Sequence, residues 1–373
     1  LLSGSRRGLE RHQTLRQAVQ WSYDLLSEDE QAVLAACAVF AGGFDLQSAC
    51  ALAEIDDEFA VLDVLDALVR KSLLTAERSF GQTRFAMLET IRQFAEEKLL
   101  SDADEAAGAR SAHALYYAGR ETDILSLWDS PRQRAAYDWI AAEMPNLRNA
   151  FRWAADGGDT DTAAAIATYA GFLGLWTENY EPLAWAEEMI EPARAVDHPR
   201  LATLYAAASG CYASGRIEDA VRYTDAARKS LVTGRYDVPY GIHGYLGAAY
   251  IYSRQPQRAA EWARTQLARD PDIRVIASTL LVFGTAGRAD DATDVAGGLI
   301  ADAEATGNPW ILALALLAYG TAFRDAAPDK ALAALRRGLA VAQDSGNRYS
   351  ESDLALSLCR LEAKCGDPLA ALD

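Results

Sequence analysis

Within the first hundred residues the hydrophobic period switches from helical to alternating and back, and few architectures accommodate that order. From Thr14 onward, Leu15, Val19, Tyr23 and Leu26 recur at helical spacing. Ser27 followed by Glu30 has the form of a capping box and opens a second helix, Glu28 to Phe40. Gly42-Gly43 ends it, and Asp45 caps a short helix to Leu52. A fourth helix, Glu58 to Lys71, gathers Val61, Val64, Leu65, Leu68 and Val69 on one side. Two β-rich runs follow, Ser72 to Glu77 and Thr83 to Met87, joined by a turn containing Gly81, and they lead into a helix from Glu89 to Leu100. Helices followed by a two-stranded wing predict a winged-helix domain.

Particular blocks in this region carry a family resemblance. They are Thr14-Leu15-Arg16, Trp21-Ser22-Tyr23-Asp24-Leu25-Leu26, Val39-Phe40-Ala41-Gly42-Gly43-Phe44, Leu68-Val69-Arg70-Lys71-Ser72-Leu73 and Leu88-Glu89-Thr90-Ile91-Arg92-Gln93-Phe94-Ala95. In this order they resemble the winged-helix segment of bacterial STAND ATPases, signal-transduction relatives of the NB-ARC switches, of the type found in LuxR-like and cyclase-fused regulators. Glu143, Asn146-Leu147-Arg148, Ala150 and Trp153 are similar to the first-repeat signature that follows the winged helix in that family.

Beyond the small, acidic stretch Ser101 to Glu105, helical pairs continue to the C-terminus. Ala220, Ala259, Ala292 and Ala331 recur at spacings of 39, 33 and 39, near a tetratricopeptide period, and Leu246-Gly247 with Tyr250 gives the best local match. Small residues at such positions let two helices approach closely, and stacked pairs form a superhelix with a concave face. The expected fold is therefore all-α dominated: a winged-helix domain with a small two-stranded wing, then an α-superhelical tetratricopeptide-like array. The expected domains are a linker over 1–11, the winged helix over 12–102 and the repeats over 103–373.

Composition excludes several functions. With 36 basic against 53 acidic side chains the net charge is −17, which opposes a surface laid along phosphates. Residues 1–100 hold 10 basic and 16 acidic side chains, and the candidate reading helix carries Asp63 and Asp66 against Arg70 and Lys71, so direct nucleic-acid binding by this segment is not expected. Five cysteines, an odd number, fit a reduced cytoplasmic protein. No apolar stretch is long enough to span a bilayer, and no membrane association is expected. Leu1 in place of an initiator Met suggests an excised fragment.

No phosphate-cradling Gly-x-x-x-x-Gly-Lys-Ser/Thr loop is present, and the four histidines stand far apart without acidic or cysteine partners at ligand spacing, so neither catalytic nor metal-ligating residues are expected. By the resemblance, ATP or ADP and magnesium belong to an upstream nucleotide-binding domain, a partner of this segment. Arg6, Arg7 and Arg11 are candidates to approach its nucleotide, with a solvated linker as the competing reading. The family's Met-His-Asp sensor falls on Met87, Leu88 and Glu89. Leu88 cannot donate a hydrogen bond, and Glu89 is either a helix-capping residue or a contact to the nucleotide domain.

In tetratricopeptide geometry the concave face would carry Tyr205, Ser209, Tyr212, Tyr252 and Arg274, the candidates for binding a protein or small-molecule effector, while Tyr250 falls at a packing position. The implied function is sensing and autoregulation within a STAND-type regulator of transcription. A regulatory tail of a nucleotide cyclase–ATPase fusion and a stand-alone repeat scaffold for peptide segments are the alternatives.

Overall fold

A computed structural model describes residues 16–53, 55–79, 82–232 and 246–365. The described residues gather into two compact units, one reaching Arg120 and including Ala141–Ala163, the other formed by Glu121–Ile140 and the chain from Ala164 onward. The chain passes between the units after Arg120, within one long helix at Ile140, and after Ala163.

The first unit begins with α1 (16–24) and α2 (Glu28–Ala36), which tightens into a single 3-10 turn at Cys37–Val39. The capping box at the start of α2 is formed: the Ser27 amide donates to Glu30 Oε2 at 2.8 Å, and the Glu30 amide to Ser27 Oγ at 3.3 Å. After β1 (Gly43–Phe44) come α3 (Leu46–Leu52), capped by Asp45, and α4 (Glu58–Arg70). The wing is β2 (Thr75–Ser79) and β3 (Gln82–Ala86), paired antiparallel. Gly81, assigned to the turn between them, lies outside the described residues. β1 adds a third strand, with Phe44 opposite Phe85 in the order β1-β3-β2, so the predicted two-stranded wing is extended by a two-residue strand. Two residues are too few to show a period, which is why no sequence signal marks it.

Helices α5 (Glu89–Leu99) and α6 (Ala103–Gly119) complete the winged helix's surroundings. Phe40 stacks on Phe44 at 4.6 Å, and His113 of α6 meets Phe40 edge-on at 5.2 Å, so the core is an aromatic run between turn, wing and helix. Into it reaches the later part of α8 (Gln133–Asp156). Glu143 of α8 is buried, accepts from Tyr117 at 2.6 Å and from Asn146 at 2.7 Å, and pairs with Arg84 of β3. Asn146 is also fully buried; its Oδ1 accepts from the Ala41 amide at 2.7 Å and its Nδ2 donates to the Gly43 carbonyl at 2.9 Å. The Arg84 guanidinium donates to the same Gly43 carbonyl at 2.8 Å. Two side chains of the predicted first-repeat signature thus tie α8 to the wing.

The second unit holds α7 (Glu121–Trp128), the opening turns of α8, α9 (Thr160–Trp176), α10 (Glu181–Ala195), α11 (Leu201–Ser209) and α12 (Ile217–Val232). Then come α13 (Ala248–Tyr252), α14 (Pro256–Arg269), α15 (Ile273–Thr285), α16 (Ala289–Val295), α17 (Leu299–Ala305), α18 (Pro309–Ala322), α19 (Pro328–Ser345) and α20 (Arg348–Cys365). The alanines of the repeat pattern, Ala220, Ala259, Ala292 and Ala331, are all fully buried, as close helix approach requires. Gly284 of α15 shows the same constraint, since a Cβ there would stand 2.8 Å from the backbone of Ala322 on α18.

The array does not leave its concave side open. Asp129, just after α7, accepts from Arg274 at 2.6 Å and from Asn308 at 2.8 Å, and Tyr137 of α8 accepts from Asn347 at 3.0 Å. The opening hairpin therefore packs against the later pairs, and Trp128, Trp176 and Trp310 meet at centroid distances of 5.0 to 6.4 Å.

Removing the Glu143 carboxylate leaves Arg84, Tyr117 and Asn146 without their acceptor in a buried site. Glu143→Ala is expected to cost about 3–5 kcal/mol, read by urea unfolding; a cost below about 1 kcal/mol would contradict its assigned role.

Candidate functional site

The second unit holds an open-mouthed cavity of about 470 Å³. Its walls come from helices far apart in sequence: Trp176 ends α9, Tyr252 ends α13, Leu281 lies on α15, Leu314 and Leu317 on α18, and Tyr349 and Asp353 on α20. The volume and mostly apolar lining suit a small organic molecule.

Polar groups converge at one side. The Tyr212 and Tyr252 rings stack at 4.9 Å, and Tyr349 stands edge-on to Tyr212 at 6.3 Å and to Trp176 at 5.5 Å. The Tyr212 hydroxyl donates to Tyr349 Oη at 3.2 Å, Tyr349 and Tyr252 share a hydrogen bond of 3.1 Å, and Tyr252 donates to Asp353 Oδ1 at 3.2 Å. Burial raises the Asp353 carboxyl to about 6; the Tyr252 and Tyr349 hydroxyls pull it down, the negative charge of Glu178 pushes it up, and Arg360 lowers it. Burial likewise holds the Tyr349 phenol well above its usual range.

Of the five residues expected on the concave face, Tyr212 and Tyr252 line this cavity. Tyr212 is itself buried and Tyr252 is 42% exposed at the rim, so only the second is a surface side chain. The other three are not brought to the cavity. Tyr205 is half-buried on α11 with its hydroxyl near Arg194. Ser209 is buried, and its Oγ donates to the Ala206 carbonyl at 2.6 Å. Arg274 is engaged by Asp129, so the closure of the array uses the guanidinium that an open superhelix would have left free. Tyr250 is fully buried, its hydroxyl accepting from Arg228 at 2.9 Å, in keeping with a packing position.

Tyr349, Asp353 and Trp176 were not singled out from sequence. One signal was present: Tyr349, Asp353, Leu356, Arg360 and Lys364 recur at spacings of four, three, four and four, one face of α20. Nothing local says that this face turns inward.

At the other candidate site, Arg6, Arg7 and Arg11 lie outside the described residues. Leu88 is the N-cap of α5, exposed and without a side-chain capping bond. Glu89 sits in the first turn and accepts from Arg92 at 2.8 Å and from Gln93 at 2.8 Å, which hold its carboxyl down at about 2. Its carboxylate is spent within the helix's own first turns.

The exposed face of α4 carries Phe59, Asp63, Asp66 and Arg70 in succession. Of the nearby cations, Lys71 pairs with Glu30, Arg84 with Glu143, and Arg92 with Glu89 and Glu96, while Arg70 and Arg78 are exposed. Among the described residues no group of histidine, cysteine and acidic side chains could hold a metal ion, and no helix is long and apolar enough to cross a membrane.

Residues 26–100 match the sequence profile of the winged helix-turn-helix domain. A Mycobacterium tuberculosis protein named as a candidate HTH-type transcriptional regulator is 37% identical over 200 residues, covering 52% of this chain and 22% of that protein. A second M. tuberculosis protein, without an assigned function, is 43% identical over 97 residues, covering 25% of this chain and 24% of its own length. The chain thus spans under a quarter of the curated relatives it matches. Among solved structures, a STAND protein with a tetratricopeptide repeat sensor from Pyrococcus horikoshii superposes with a TM-score of 0.50 at 16% identity, over 92% of this chain and 48% of that one. That likeness is one of fold: a winged helix followed by a helical repeat array.

The two tyrosines of neighbouring repeats separate packing from lining. Tyr250→Ala is expected to cost about 3 kcal/mol by thermal or urea unfolding, whereas Tyr252→Ala at the rim should cost under about 1 kcal/mol. Equal losses would mean that the rim tyrosine is core.

Proposed function

We propose that this chain is the sensing and autoregulatory portion of a STAND-type transcriptional regulator, the helical array binding a small effector and the winged helix serving the switch as a structural element. The observation that carries this reading is the cavity in which Tyr212, Tyr252, Tyr349 and Asp353 converge from three separate segments of the array. Likeness of fold to a STAND protein with a repeat sensor supports it, as do relatives named as transcriptional regulators. The nucleotide and magnesium would belong to a nucleotide-binding domain upstream of this chain, and the output domain to the remainder of the parent. Effector binding would bias an interdomain arrangement with two states, each stabilised by its own contacts.

Base reading by α4 is not part of the proposal. Its exposed face offers Asp63 and Asp66 where a reading helix needs donors toward phosphates and base edges.

The sensor reading is tested by thermal shift against fractionated small-molecule extract. A saturating effector at about 100 times its dissociation constant stabilises by about 2.7 kcal/mol. Leu314→Trp, which fills the cavity, should melt cooperatively and lose the shift; an undiminished shift would place the effector elsewhere. For the winged helix, a mobility assay at physiological salt should give no discrete sequence-specific complex, and one that forms would reverse its assignment as structural.

A further inference from the structure

The cavity's charge is arranged unevenly. Among the described residues Asp353, on α20, is its only acidic lining residue, and the half-exposed Tyr252 donates to it at 3.2 Å. The cationic lining residues, Arg324, Arg360 and Lys364, are placed differently. Lys364 donates to Asp325 at 2.5 Å, Arg324 lies 3.6 Å from the same carboxylate, and Arg360 is exposed. Lys364 and Arg324 are thus answered by Asp325, while Arg360 also acts on Asp353.

Around Asp353 stand aromatic residues, and the Tyr252 and Tyr349 hydroxyls reach its carboxylate. Tyr212 and Tyr252 are stacked, Tyr349 lies across them, and Trp176 and Trp310 continue the aromatic wall. A carboxylate beside several electron-rich faces attracts a positive charge twice over, by Coulomb force and by the ring quadrupoles. An anion would meet the same faces and the same carboxylate as repulsion. Leu281, Leu314 and Leu317 opposite offer only apolar contact. Burial raises Asp353 by penalising its charged form, and a bound cation would favour that form.

We propose that the cavity takes a compact organic amine, its ammonium seated between Asp353 and the rings of Tyr212, Tyr252 and Tyr349, its apolar body against the leucine wall of α15 and α18. This rests on reading the cavity as the effector site, and names the chemistry that site selects.

The test is isothermal titration calorimetry of the whole chain with three isosteric probes: 2-phenylethylamine, 2-phenylethanol and phenylacetate. The amine is expected to bind at least about tenfold more tightly than the alcohol, and phenylacetate not to bind. Asp353→Asn keeps an acceptor for the Tyr252 hydroxyl and removes a buried charge, so it should fold. It should bring the amine down to the alcohol's affinity while leaving the alcohol unchanged. Tyr252→Ala, at the rim, is the second variant and should weaken the amine several-fold more than the alcohol. Equal binding of amine and alcohol overturns the cation proposal and leaves the cavity reading standing, as does preferential binding of phenylacetate, which would assign selection to the mouth cations. Failure of all three probes up to millimolar concentration overturns both.

Discussion

A carboxylate taken out of water must find donors on every side, and the arrangement around Glu143 is what the first unit is built on. Arg84 reaches it from the wing, Tyr117 from α6 and Asn146 from the next turn of its own helix. None of these partners is near it in sequence except Asn146. Because Asn146 and Arg84 also satisfy the carbonyl of Gly43, and Asn146 the amide of Ala41, the turn leading into β1 is held by the same few side chains. Truncating one member leaves the others buried and unsatisfied, so the group behaves as a unit rather than as a sum of pairs. The winged helix is thereby made part of one body with the 141–163 segment.

A second constraint shapes the array. Stacked helical pairs with buried alanines form a concave surface, but here the hairpin α7–α8 is drawn against the later pairs by Asp129, Gln133 and Tyr137. Arg274 and Asn308, which meet Asp129, are consumed in that closure. Apart from that closure, the second unit keeps an open-mouthed cavity of about 470 Å³.

Much of this was legible in the sequence. The capping box at Ser27, the period of Val61, Leu65 and Leu68, and the recurrence of Ala220, Ala259, Ala292 and Ala331 are local signals, and local signals fix elements and their buried faces. The signature at Glu143 and Asn146 was visible as a pattern, although its purpose, binding the wing, was not, because Arg84 stands 59 residues away. The cavity was half legible. Tyr212 and Tyr252 lie where repeat geometry puts lining residues, whereas Tyr349 and Asp353 join them across about a hundred or more residues. That Arg274 is engaged was not legible either: its partner Asp129 is 145 positions distant.

The union of wing and α8 is tested most directly by native-state hydrogen exchange followed along the denaturant axis. Amides of β3 and of residues 141–156 are expected to open together, with free energies agreeing within about 1 kcal/mol, as members of one cooperative unit do. In Glu143→Ala both sets should fall by the same amount. If the amides of β3 keep their protection while those of 141–156 exchange freely, the winged helix stands on its own, and its integration with the first helices of the array is wrong.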